Sequence, residues 1–378
     1  MVKIENITFE EKSRIIVISD IHGQIDILKK LLKKGKFSKK VSYTPQRDYL
    51  MLLGDFAQKG KYPLETLRYI IELSKIDKVY ALLGNCDHGN FKLFRKEYLN
   101  TDFKELLNYP HTLLYDMYQE YKQSNPKFEQ TDLDSLQDDM KEYFINELTF
   151  LENLPYIIES KDLIFVHAGL DKIEDYHNSF YRSVFMKRYF LNEGHLAHKM
   201  VICGHFPVTI YRQDEFNDNI IIDYKKHIIS IDGGLVVKDG GQLNALIINK
   251  NKEDYQYETA FEDGLPQVLT KKESIENQRG KGACWPNFNL RLLEKGEYFS
   301  KIILTDTNEI TFIKNEYLCE NNTKAYDDCP ASILGVPKGV MVGIINDKCK
   351  GYVLIKYQGK QGWVKKEVIE GEENEKMY

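Results

Sequence analysis

RIIVISDIHG, residues Arg14–Gly23, is the stretch on which the fold turns. A run of β-branched residues reads as a buried strand at Arg14–Ser19, and it ends in an aspartate and a histidine beside a glycine. Immediately after it, Ile25, Leu28, Leu31 and Leu32 recur at helical spacing. The same plan then repeats along the chain. Tyr49–Leu53 (YLMLL) and Val79–Leu83 (VYALL) read as strands, with a helix over Leu64–Leu73 between them. Leu163–Val166 (LIFV), Met200–Cys203 (MVIC) and Ile228–Ile231 (IISI) read as further strands. Strands alternating with helices predict an α/β fold with helices covering a largely parallel or mixed sheet. About residues 98–154 there is no strand-like run but much Leu, Tyr, Glu and Asp, which predicts an inserted helical cap.

The chemistry sits where these strands stop. Asp20 and His22 follow the first, Asp55 the second and Asn85 the third, while His167 and His205 close LIFVH and MVICGH. In open α/β sheets, ligands gather beyond the carboxyl ends of the strands, so six distant residues are expected in one cluster. Two carboxylates, three imidazoles and an amide oxygen mix hard and borderline donors. Mn²⁺ is expected first, with Fe or Zn²⁺ as alternatives, and Ca²⁺ is disfavoured. A carboxylate on a central strand is able to bridge two ions ~3.5–4 Å apart, a spacing that clamps attacking and leaving oxygens. Any one of these short motifs arises by chance, but their joint order, each at a strand end and beside glycine, does not.

SDIHG, GDFAQKG, GNCD, HAGL, GHFP and IDGGLV together resemble the motifs of the phosphoprotein phosphatase family of calcineurin-like metallophosphoesterases, which includes Ser/Thr phosphatases and bacterial symmetrical dinucleoside tetraphosphatases. LENLPYIIESKDLIFVHAGL is similar to the stretch before this histidine in bacterial members. The resemblance covers about Ile15–Asn249 and implies a mixed-sheet sandwich flanked by helices. It implies that Asp20, His22 and a bridging Asp55 bind one divalent metal, and that Asn85, His167 and His205 bind a second. It also implies in-line attack on phosphorus by a hydroxide shared between the ions.

Three positions depart from that family's pattern. Gln58 stands where an aspartate is expected, Lys59 where a phosphate-binding arginine is expected, and Cys86 where a histidine protonates the leaving group. Both halves of a general-acid pair are missing together. General-acid help is worth roughly 10²–10⁴-fold. An alkoxide leaving group needs it, a phenolate of pKa about 10 needs it less, and a phosphate with second pKa about 6 hardly at all. The residues therefore tilt the expected substrate toward phosphoanhydrides or aryl esters, although the family name favours a phosphorylated protein. His88 is a candidate replacement acid, against its reading as an exposed loop histidine; Cys86 is either a weak donor or a small buried hydrophobe. Lys59 keeps a charge but loses the bidentate fork of arginine. A second phosphate-binding cation is expected in FYRSVFMKRYFL at Lys187 or Arg188, with Arg182 as a fallback; a solvated basic face accounts equally for each. The pair His195 and His198 reads as surface.

Beyond about residue 250 the texture changes. A metallophosphoesterase domain at 1–250 is expected to give way to a polar linker at 251–285. At 286–378 a faint repeat pairs LEKGEYFSKII (Leu293–Ile303) with VPKGVMVGII (Val336–Ile345), and ITFIKNEYL (Ile310–Leu318) with QGWVKKEVI (Gln361–Ile369). Short strands at this spacing predict one or two small β-barrels. The second resembles a bacterial Src-homology-three-like (SH3-like) domain, with Trp363 and Tyr357 as candidates either for a peptide-binding groove or for barrel core and rim. Composition excludes other classes. A net charge of −5 over 378 residues gives no basic field for nucleic acid, and no apolar run approaches a membrane span. Six cysteines without a Cys-x-x-Cys pair suit reduced thiols in a cytoplasm. The rival from another class is a pseudo-phosphatase scaffold that binds partners through its C-terminal barrels.

Overall fold

Strands form where the β-branched runs lie. In the computed structural model, which describes residues 2–33, 43–97, 100–126 and 132–370, they are β1 (Ile4–Asn6), β2 (Lys12–Ile18), β3 (Tyr49–Leu52), β4 (Val79–Ala81), β5 (Ile157–Glu159), β6 (Leu163–Val166) and β7 (Met200–Cys203). They continue with the two-residue β8 (Phe216–Asn217), β9 (Ile221–Asp223), β10 (Ile228–Ser230), β11 (Leu243–Asn251) and β12 (Asp254–Glu262). The chain divides into two units.

The first unit comprises Met1–Pro207, Ile220–Val237 and Leu243–Glu262. Its two mixed sheets run β12-β11-β2-β3-β4 and β1-β5-β6-β7-β10-β9. Along β2 successive side chains face opposite ways, and both faces are covered, which is why the run is apolar throughout. Ile15 and Val17 share a core with Met51, Phe165, Ile202 and Ile229, drawn from both sheets. Ile16 and Ile18 instead join Leu28 of α1 (Ile25–Leu32) and Leu67 and Ile70 of α2 (Pro63–Leu73). Each such fully buried side chain contributes about 1.5–3 kcal/mol. Proline at the start of α2 fits because the first helical position needs no N–H partner.

The expected cap is helical, with helices at Asn100–Leu106, Leu113–Ser124, Leu133–Tyr143 and Ile145–Asn153; its expected start, Tyr98, lies outside the described residues. Thr112 and Asp132 cap two of these helices through Tyr115 N and Ser135 N. Met117, Met140, Phe144 and Leu151 belong to the core that holds α1 and α2, so the insertion completes the helical layer.

The expected linker is not one. Asp254–Glu262 pairs along its whole length with Leu243–Asn251 as an edge strand. Its polarity comes from exposed alternate positions, while Tyr255 and Tyr257 pack on the core. Two more strands, β13 (Gln267–Leu269) and β14 (Gly282–Ala283), also fall in that stretch.

The second unit comprises Val208–Asn219, Lys238–Gln242 and Asp263–Tyr378. It holds a three-stranded antiparallel sheet of β15 (Leu290–Glu294), β16 (Phe299–Leu304) and β17 (Ile310–Lys314), and a pair of β14 with β18 (Cys329–Pro330). A five-stranded antiparallel sheet runs β13-β19-β20-β21-β8, with β19 at Met341–Asn346, β20 at Tyr352–Tyr357 and β21 at Lys360–Lys365. The sequence repeat has a structural counterpart, because β17 and β21 each run into a short helical turn, Asn315–Tyr317 and Lys366–Glu370. Trp363 does not line a groove. It is fully buried, and its Nε1 donates to the Pro330 carbonyl at 2.7 Å; Tyr357 is half-buried against the neighbouring core. Among the described residues no helix is long and apolar enough to cross a membrane.

Candidate metal centre

Loops leaving β2, β3, β4, β6 and β7 carry the six expected ligands, and backbone pairing carries the register past the strand ends. Asp20 N donates to Gly54 O at 3.1 Å, His22 N to Asp55 O at 2.9 Å and Gly204 N to His167 O at 2.8 Å. Two glycines permit this approach. Gly54 sits at φ +82°, and a Cβ there would lie 2.3 Å from Gly84 N; at Gly204 a Cβ would lie 1.9 Å from Ser19 Oγ and 2.2 Å from Asp20 Oδ2. Gly204→Ala is expected to cost about 1–3 kcal/mol of stability and to weaken metal binding, read by denaturant unfolding and metal titration. Unchanged metal affinity in that variant would contradict the role given to the close contact.

The backbone is strained where the chemistry is expected. Asp20, His22, Asp55 and His205 all have positive φ, between 48° and 68°, and so does Lys59 at 71°. Each such residue costs of order 1–3 kcal/mol and persists only where its surroundings enforce it.

The side chains converge. Asp20 Oδ2 accepts from Ser19 Oγ and, at 2.9 Å, from His205 N. Asp55 Oδ1 accepts from Cys86 N at 2.8 Å and lies 3.6 Å from His167 Nε2. His167 Nδ1 lies 2.8 Å from the Leu53 carbonyl, an acceptor only, so that nitrogen carries the proton and Nε2 presents its lone pair. Asn85 turns its amide nitrogen to Cys86 Sγ and its Oδ1 to His167 Nε2 at 3.0 Å and His205 Nδ1 at 2.9 Å. Two trios have ligand atoms within 4.8 Å of one another: Asp20, Asp55 and His167, and His22, Asp55 and Cys86. Asp55 is common to both.

Burial and the close approach of charged groups set the electrostatics of the cluster. Burial and Asp55 push the Asp20 carboxyl up to about 7. Burial alone would raise Asp55, but His167, His22 and Lys59 outweigh it and hold the group below the usual carboxylate range. Burial takes His22 down to about 4 and, with His167, takes His205 down to about 3. Both are therefore neutral near pH 7, the form in which an imidazole can bind a metal. The convergent acceptors, neutral imidazoles and mutually repelling carboxylates fit divalent cations.

The flanking residues sort as follows. Lys59 is exposed, and its ammonium feels burial first and then Cys86, Asp55, Asp20 and Asp232, so it stands at the rim facing the cluster. Lys187 is spent on Glu193 at 2.7 Å and Asp171 at 3.8 Å. Arg188 is exposed, and its charge acts on His205; Tyr189 beside it packs on Phe206 at 4.8 Å. Arg182 is exposed. Arg188→Ala is therefore expected to raise KM by roughly 10-fold, as for loss of a charge-assisted hydrogen bond, and Lys187→Ala by much less. Equal effects in steady-state kinetics would remove the distinction.

His88 is not an exposed loop residue. It begins the second turn of α3 (Asn85–Phe94), stacked on Phe185 at 4.7 Å with Phe91, Tyr156 and Tyr181 around it. Burial and Lys92 push it down to about 4, which leaves it without the proton a general acid needs. Gln58 spends its Oε1 on Leu113 N at 3.1 Å, at the head of a cap helix. His195 and His198 lie beyond the short helix Phe190–Glu193 and share no helical face; His195 Nε2 pairs with the His227 carbonyl.

Two aspartates were not singled out in the sequence. Asp87 is fully buried and accepts from Phe56 N at 3.0 Å and Gly84 N at 3.2 Å, tying the Asp55 loop to the Asn85 loop. Asp232, in IDGG after β10, is buried beside Asp20 and accepts from Gly234 N at 2.7 Å. Their sequence signal is their place in the motifs GNCD and IDGGLV after β4 and β10.

Comparison with known proteins agrees in kind. The calcineurin-like phosphoesterase family model matches residues 13–232. The symmetrical bis(5'-nucleosyl)-tetraphosphatase of Buchnera aphidicola is 35% identical over 99 residues, 25% of this chain and 32% of that protein. The Escherichia coli enzyme of the same name is 41% identical over 71 residues, 19% of this chain and 22% of that protein. The chain thus matches about a third or less of the length of these curated relatives. Among solved structures, a protein serine/threonine phosphatase from Saccharomyces cerevisiae gives a TM-score of 0.42 at 12% identity, covering 70% of this chain and 84% of that one.

Proposed function

We propose that this chain, which belongs to the calcineurin-like phosphoesterase family, hydrolyses phosphate esters or anhydrides with a pair of divalent ions. The observation that carries the reading is the central place of Asp55, whose carboxylate lies within 4.8 Å of ligand atoms of Asp20 and His167 on one hand and of His22 on the other. Asp20, His22 and Asp55 would hold one ion, and Asp55, Asn85, His167 and His205 the other. Mn²⁺, Fe and Zn²⁺ all suit those six side chains. Bound there, two ions supply an activated water and neutralise charge on the phosphoryl oxygens.

The chain's own residues account for the rest. Lys59 and Arg188, whose charges act on the cluster, would bind the phosphoryl group as point charge and as fork. Asp87 and Asp232 hold the ligand loops. At the two positions expected to protonate the leaving group, Gln58 is engaged by the cap and the Cys86 thiol is a weak donor. Substrates whose leaving groups depart unprotonated are therefore favoured: aryl phosphates, phosphotyrosine, or anhydrides such as dinucleoside polyphosphates, the last in keeping with the named relatives. The phosphoesterase domain is taken to run to Glu262, and the C-terminal sheets are read as small SH3-like barrels able to take a peptide ligand. Six free thiols suit a cytoplasmic location.

A turnover screen with Mn²⁺ and Zn²⁺ tests the reading on phosphoserine peptide, phosphotyrosine peptide, aryl phosphate and dinucleoside tetraphosphate. Aryl or anhydride substrates are expected to lead. Absence of turnover on all four would favour the scaffold alternative, against which stands the backbone strain at four ligand positions.

A further inference from the structure

The second ligand trio contains a residue to which the reading above gives no task. Cys86 Sγ lies with the ligand atoms of His22 and Asp55 inside a 4.8 Å group. We propose that Cys86 is itself a ligand of the ion held by His22 and Asp55, so that this centre takes a thiolate-seeking cation such as Zn²⁺ in preference to Mn²⁺. The inference rests on the metal-centre reading and adds to it a ligand and a metal class.

Several independent observations meet here. His22 is 3% exposed, and its Nδ1 finds no hydrogen-bond partner, so a buried polar ring beside Cys86 lacks a counterpart that a cation would supply. Cys86 is fixed in place from two directions: its N–H donates to Asp55 Oδ1 at 2.8 Å, and Asn85 Nδ2 points at its sulfur from 3.6 Å. It occupies the first turn of the ten-residue α3. Zn–S bonds of about 2.3 Å and Zn–N bonds of about 2.0–2.1 Å put neighbouring tetrahedral ligands about 3.5 Å apart, which a small side-chain rotation reaches from the present spacing. Ligation forms the metal–sulfur bond and releases the thiol proton to solvent, so the proton leaves before any substrate arrives. Sulfur is a poor ligand for Mn²⁺ and a good one for Zn²⁺ and Co²⁺.

The test loads the full-length protein with Co²⁺ and records its absorption together with cobalt content. Wild type is expected to show a near-ultraviolet thiolate-to-cobalt charge-transfer band. Cys86→Ser, with its five other cysteines untouched, should lose that band while still binding two cobalt ions. Competition titration should show Zn²⁺ affinity reduced by roughly 10–100-fold or more in Cys86→Ser, the range for perturbing a ligand's support, with Mn²⁺ affinity nearly unchanged. Two bound cobalt ions without the band in wild type would overturn the thiolate ligand and leave the metal centre standing. Failure to bind cobalt at all would overturn both.

Discussion

Asp55→Asn is expected to leave the protein folded but unable to hold two metal ions, with turnover reduced beyond the roughly 10²–10³-fold that loss of one electrostatic donor costs. The expectation follows from position. Asp55 is 2% exposed, is common to both ligand trios, and is the carboxylate that His167, His22 and Lys59 keep ionised against burial. An amide in its place keeps one coordinating oxygen and loses the charge that two cations share. The fold should survive, because Cys86 N can still donate to the amide oxygen and the β2–β3 ladder is made by backbone. Metal content by elemental analysis and a thermal melt read the two halves separately. Two ions retained per chain would show that Asp55 does not bridge.

The rate of the wild-type protein should fall steeply as leaving-group pKa rises, which is the second large effect. General-acid assistance is worth roughly 10²–10⁴-fold, and neither half of the usual donor pair is present at Gln58 and Cys86. Across substituted aryl phosphates the slope should be strongly negative, with alkyl phosphates slower by a further factor of that order. His88→Ala should leave the slope unchanged, since its ring is packed among aromatic side chains. A shallow wild-type slope that steepens in His88→Ala would instead make His88 the acid. Installing histidine and aspartate together at positions 86 and 58 should help alkyl esters selectively, but incompletely. Gln58 would have to give up its bond to Leu113 N, at about 1 kcal/mol.

Much of this was legible in the sequence, for a physical reason. Strands buried on both faces must be apolar at every position, so RIIVIS and LIFV stand out, and β2 and β6 fall where they were expected. Residues at strand ends are placed by short-range order, and five short motifs name the six candidate ligands, whose side chains converge. What failed needed contacts made at a distance. Tyr255 and Tyr257 alternate along an edge strand whose other face is polar, which reads as linker until its partner Leu243–Asn251 is known. That Lys187 is paired with Glu193 and Asp171 is likewise not announced by its own helical pattern. For Trp363 the commoner reading of such an aromatic, barrel core or rim, holds, and the Pro330 carbonyl that accepts from its indole N–H is a contact no local pattern announces. The C-terminal unit includes Phe216–Asn217, more than a hundred residues before its partner strand, and no local pattern announces that.

The central claim is a two-ion centre built on Asp55, and counting metal ions bound to the purified full-length chain tests it most directly. Elemental analysis after loading with Zn²⁺ or Mn²⁺ and removal of excess metal is expected to give two equivalents per chain in wild type. A wild-type chain that binds none, or that saturates at one, would contradict the account.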